Sequence, residues 1–148
     1  MRPGQIRVLA LGIIWRGEEL LLMEGCDPSK RQTFYRPLGG GVEFGERARD
    51  ALIREFAEEL GAELVNIRYL ETLENIFTYD DQPGHEIILL FQADFTDKTF
   101  YACDDLIAVD ADLRVPTAWK RLDECTDETP LYPDGLRDVL IALRAAPR

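Results

Sequence analysis

Residues 37–62 read Pro37-Leu38-Gly39-Gly40-Gly41-Val42-Glu43-Phe44-Gly45-Glu46-Arg47-Ala48-Arg49-Asp50-Ala51-Leu52-Ile53-Arg54-Glu55-Phe56-Ala57-Glu58-Glu59-Leu60-Gly61-Ala62. A glycine loop passes into an amphipathic stretch that predicts a helix over residues 47–60. Ala48, Leu52, Phe56 and Leu60 recur every four residues and predict its buried stripe, and Gly61 is a natural C-cap. Glu55, Glu58 and Glu59 crowd the last turn and a half. At about 100° per residue they fit within an arc of roughly 100°, beside the apolar stripe but distinct from it.

Carboxylates that close repel one another, and the negative end of the helix dipole disfavours them further. Hard divalent cations take oxygen ligands and relieve the repulsion. The helix therefore reads as a metal platform, and the glycine loop can bring backbone groups close to the metal and to phosphates. A metal held by clustered carboxylates polarises a phosphoryl oxygen and activates water. The sequence offers no Ser/His/Asp or Cys/His constellation, and His85 is its single histidine. The residues alone point to hydrolysis of a phosphoanhydride by metal-activated water.

The stretch resembles the Nudix box, Gly-x5-Glu-x7-Arg-Glu-U-x-Glu-Glu-x-Gly-U, with U bulky and aliphatic. Gly40, Glu46, Arg54, Glu55, Glu58, Glu59 and Gly61 stand at the required spacing, over residues 40–62. Phe56 and Ala62 depart from the two U positions but stay apolar, and Leu38 stands where the family often has Pro. The resemblance implies an α/β/α sandwich in which a mixed β-sheet is flanked by helices. It implies a Mg2+-dependent pyrophosphohydrolase, with Mn2+ as the alternative ion, of the MutT-like kind. The substrate class would be a nucleoside diphosphate linked to another moiety: a nucleoside triphosphate, a dinucleoside polyphosphate or a nucleotide sugar. Carried onto matching positions, Glu55, Glu58, Glu59 and the Gly40 carbonyl ligate metal, and Glu55 is alternatively the base. Arg54 orients the carboxylates and reaches Glu46, both counted with the catalytic set.

Outside the box, Glu86 opens an apolar strand, a costly place for an unpaired charge. It is read as an added ligand or base, and neighbouring His85 as a substrate contact. Arg36 lies just before the glycines, placed to meet a phosphate. Phe34, Tyr35, Phe77 and Tyr79 are candidates to stack a base, with core packing as the alternative. Tyr79 falls 17 residues after Ala62, where diadenosine polyphosphate members of the family carry a Tyr. The Pro that marks ADP-ribose members is missing there, and the choice of substrate stays open.

The chain has 148 residues, which predicts one domain spanning residues 1–148. Its net charge of −11 and lack of a basic patch weigh against a nucleic-acid partner, capped RNA included. No apolar run is long enough for a membrane span and no leader is evident, so a cytoplasmic location is expected. Cys26, Cys103 and Cys125 are widely spaced and read as reduced thiols. The expected partner is a small-molecule nucleotide, with homodimerisation as the family's further implication. The competing function is a non-catalytic nucleotide-sensing domain, although such domains usually lose box carboxylates that this chain keeps.

Along the rest of the chain, residues 6–15 predict a central strand and residues 19–23 the returning strand of a hairpin. Residues 26–32 and 78–84 read as loops, and residues 33–35, 64–77, 86–95, 106–110 and 118–122 as strands. A closing helix follows Pro133-Asp134-Gly135, with Leu136, Val139, Leu140 and Leu143 on one face.

Overall fold

A computed structural model of the chain describes residues 4–145. The strands are β1 (Ile6–Ile13), β2 (Trp15–Arg16), β3 (Glu19–Asp27), β4 (Gln32–Arg36), β5 (Leu38–Gly41), β6 (Leu64–Tyr79), β7 (Gln82–Phe95), β8 (Ile107–Asp110) and β9 (Leu113–Arg121). The helices are α1 (Ala48–Leu60) and α2 (Leu136–Ala145). A mixed four-stranded sheet runs β5-β1-β7-β6, in which β1 and β7 are parallel. A second, antiparallel sheet runs β2-β3-β9-β8, with β4 on β3.

β1 is central, as the apolar run from Val8 to Ile13 requires. Leu9, Leu11 and Ile13 point into one core with Leu136 and Leu140 of α2. Ala10 and Ile14 point into the other, with Leu52 and Phe56 of α1. The sheet therefore carries a helix on each face. Gly12 makes room for α1: a Cβ there would lie 2.7 Å from the Phe56 ring. α1 ends as its sequence predicts, with Gly61 at φ 65° and Ala62 N–H donating to the Phe56 carbonyl at 3.3 Å.

Four sequence expectations need correction. The glycines do not form a loop: Gly39, Gly40 and Gly41 pair with Leu11, Ala10 and Leu9 as strand β5. Only glycine fits at position 39, where φ is 142° and a Cβ would lie 2.1 Å from the Ala10 carbonyl oxygen. Residues 78–84 are not a loop either: β6 and β7 form one long hairpin closed at Asp80-Asp81, both at positive φ. Cys26 and Asp27 belong to β3, so the loop expected from residue 26 shrinks to a turn before β4. Within α1 the acidic arc and the buried stripe overlap, because Glu59 is buried with Leu52 and Phe56 while Ala48 and Leu60 are only half-buried.

Candidate functional site

α1 presents its carboxylates to β5. Glu55 lies flat against Gly40, where a Cβ would meet its carboxyl carbon at 2.4 Å. A side chain at position 40 would push the carboxylate away, so this glycine is needed for close approach. Arg54 organises the rest. Its Nε and Nη2 donate to the two oxygens of Glu46 at 2.9 and 3.0 Å, and Nη2 also donates to the Gly41 carbonyl at 3.0 Å. Nη1 donates to Glu55 at 2.9 Å and reaches Glu58 at 3.4 Å. One guanidinium thus ties the β5–α1 connection to the helix. Its hydrogen bond from Arg54 holds the Glu46 carboxyl below the usual range, and Glu46 in turn raises Arg54.

Glu59 is the unusual member. It is 5% exposed, and its Oε2 is buried without any hydrogen-bond partner. Burial pushes its carboxyl up to about 9, with Glu55 and then Asp110 adding repulsion and Arg36 opposing them. A buried carboxylate beside two others is unfavourable without a cation. Glu58, by contrast, is exposed. Among the described residues no three acidic, histidine or cysteine side chains converge into a ready cation cage. Glu59 turns inward while Glu58 turns to solvent. The orphaned Oε2, the Glu55 carboxylate and the Gly40 carbonyl are nonetheless oxygen donors of the hard kind that a divalent ion takes.

A cavity of about 850 Å3 opens between the two sheets, with no residue of α1 or β5 among its lining residues. Arg36, Tyr79 and Glu86 line it, together with Phe34, Tyr132 and Asn75. Phe34 packs edge-on to Tyr79 at 6.2 Å and tilted against Tyr132 at 5.4 Å. Two rings reach the wall by lying over glycines: a Cβ on Gly25 would meet Phe34 at 2.5 Å, and one on Gly84 would meet Phe77 at 2.3 Å. His85 lines neither this cavity nor a smaller one of about 480 Å3 beside Glu55. Strand alternation sends it to the face opposite Glu86.

Glu86 faces Arg36 and Asn75 rather than Glu59; the acid from outside the helix that presses on Glu59 is Asp110, at the end of β8. Sequence reading passed over Asp110 and also Arg7, which lines both cavities. The signal for Arg7 was a charge inside an otherwise apolar strand. For Asp110 it was an acid before a turn at Ala111-Asp112, both at positive φ.

A family profile described as NUDIX domain matches residues 5–127. The NAD-capped RNA hydrolase NudC of Pectobacterium atrosepticum is 30% identical over 126 residues, covering 85% of this chain and 43% of that protein. This chain thus spans less than half the length of the curated relatives it matches. The solution structure of the E. coli ORF135 protein superposes with a TM-score of 0.62 at 26% identity, over 95% of this chain and 92% of that one. The MutT NUDIX hydrolase of Burkholderia pseudomallei gives 0.66 at 24% identity, over 97% and 99%, a likeness of fold.

Proposed function

The chain belongs to the NUDIX family, and from that premise we propose that it hydrolyses a phosphoanhydride bond of a small nucleotide, a nucleoside diphosphate linked to a further group, with a divalent cation. The observation that carries this reading is the buried, partnerless Glu59 Oε2 set beside Glu55 and Asp110. Glu55, Glu58, Glu59 and the Gly40 carbonyl are the groups to hold the ion, Mg2+ or Mn2+. When bound, such an ion supplies charge that polarises phosphoryl oxygens and activates water.

The chain's own residues do the rest. Arg54 fixes Glu55 against Gly40 and anchors the segment bearing Glu46. Glu55, or the exposed Asp110 outside the helix whose charge bears on Glu59, takes up the proton that the attacking water releases. Arg36 offers a cation to the phosphates, and the aromatic wall offers faces to a base.

The test is a phosphate-release screen with Mg2+ over nucleoside triphosphates, dinucleoside polyphosphates, nucleotide sugars and NAD, with Glu59→Gln as the blank. One dominant substrate, silent in the variant, is expected. Silence across the panel, with nucleotides still bound, overturns the reading in favour of a sensing domain. The relative that acts on NAD-capped RNA adds a second substrate class. A net charge of −11 opposes an RNA body but not a dinucleotide, so the screen includes a short NAD-capped RNA beside free NAD.

A further inference from the structure

Two arginines meet where the cavities adjoin, and neither makes an ion pair or a side-chain hydrogen bond among the described residues. Arg16, Arg54 and Arg121 behave otherwise, each holding a carboxylate at 2.9 Å or closer. Arg36 and Phe34 lie two apart on β4, so both side chains take the same face and both line the larger cavity. Arg7 on β1 is the registered neighbour of Glu86 on β7, and Glu86 is that of Asn75 on β6. These three polar side chains form a row across the cavity floor. Arg7 also lines the smaller cavity with Glu55.

The hydrogen-bond donors on this floor are not all used, although Arg7, Lys30 and Arg36 are matched in number by Asp27, Glu86 and Asp134 on the lining. Glu86 is buried and accepts only a long 3.5 Å contact from Asn75. Among the described residues neither Glu86 nor Asp134, which also lines the cavity, comes within ion-pair distance of Arg7 or Arg36. Lys30 and Asp27, also on the wall, offset each other at 3.7 Å. Burial lowers the Arg36 guanidinium and Arg7 adds to that shift, while Glu86, Glu59 and Asp110 oppose it. The exposed Arg7 and the half-buried Arg36 thus bring to the cavity donors that no protein acceptor uses. An anion entering between the arginines satisfies the donors and removes the repulsion.

We propose that Arg7 and Arg36 form an anion subsite at the neck between the carboxylate cluster and the aromatic cavity, gripping the phosphate nearest the nucleoside. The base then lies against Phe34, Tyr79 and Tyr132, and the scissile anhydride lies outward at α1. The protein accordingly selects the nucleoside monophosphate half of its substrate and leaves the linked group outside. The identity of the ligand rests on the hydrolase reading given above; the binding does not require turnover.

The test is calorimetric titration of the full chain, with chelator present, using common ribonucleoside monophosphates and their parent nucleosides as probes. At least one monophosphate is expected to bind about tenfold or more tightly than its nucleoside. Arg7→Gln, at an exposed strand position, is expected to close most of that gap without changing nucleoside affinity, and Arg7→Lys to restore part of it. Arg36→Gln is expected to act in the same direction. Equal affinity for the two series, no binding by either, or an unchanged gap in Arg7→Gln overturns the subsite. A protein that hydrolyses nucleotides yet ignores the phosphate in this assay loses the subsite alone. One that discriminates the phosphate but releases none with Mg2+ loses the hydrolase reading alone.

Discussion

Arg54 and Glu46 are joined as a fork, Nε to Oε2 at 2.9 Å and Nη2 to Oε1 at 3.0 Å. The pair spans eight residues of chain and couples the end of the β5–α1 connection to the helix that bears the carboxylates. Lysine keeps the charge but not the paired geometry. Arg54→Lys is expected to lower kcat about tenfold or more, the usual scale for a residue that orients metal-site carboxylates. Circular dichroism should show the helix retained. Wild-type kcat in the variant would make the fork a packing device only.

Glu58 and Glu59 differ in burial but share the proposed task. Glu58→Gln and Glu59→Gln are each expected to abolish phosphate release, and chelation of the wild type to do the same, with recovery on adding Mg2+. Full activity in both variants would remove the metal platform from the account.

Glu59 also makes a prediction about pH. Its folded-state value of about 9 lies above the ordinary 4.5, so the folded protein holds a proton that the unfolded chain gives up. The associated stability is complete below the lower value and is lost as pH rises towards the higher one. In chelator, Glu59→Gln is therefore expected to melt above the wild type, by a margin that widens between about pH 5 and about pH 9. Added Mg2+ should reverse the order. Parallel melting curves across this range would show that Glu59 is ionised in the folded protein.

Two glycines with positive φ separate crowding from conformation. Gly17, at φ 61°, has open space around its missing Cβ, whereas Gly39 faces the Ala10 carbonyl. Gly17→Ala is expected to cost about 1 kcal/mol in urea unfolding, and Gly39→Ala roughly 3 kcal/mol or more. Equal costs would mean that β5 can shift away from β1.

The parts of this molecule set by neighbours in sequence were legible without coordinates. The helix of residues 48–60, its glycine stop and its cluster of acids follow from spacing alone, and β1 announced itself by an apolar run. What escaped was whatever a distant strand supplies. Gly39, Gly40 and Gly41 look like a loop until Leu9, Ala10 and Leu11 provide the ladder. The register that sets Glu86 beside Arg7 and Asn75 has no trace in its own stretch of sequence. Asp110 sits 51 residues after Glu59 in the sequence, and only the fold brings its charge to bear on that carboxylate.

The carboxylates ride on α1 and lie against β5, whereas the aromatic wall belongs to the β3–β4 and β6–β7 hairpins and, with Tyr132, to the segment before α2. The two halves of the site thus descend from separable pieces of chain. Substitutions around Phe34, Tyr79 or Tyr132 can change which base is admitted while the helix and its glycine strand stay untouched. Such an enzyme can acquire new substrates by inheritance at its rim, its chemistry passing unchanged from ancestor to descendant.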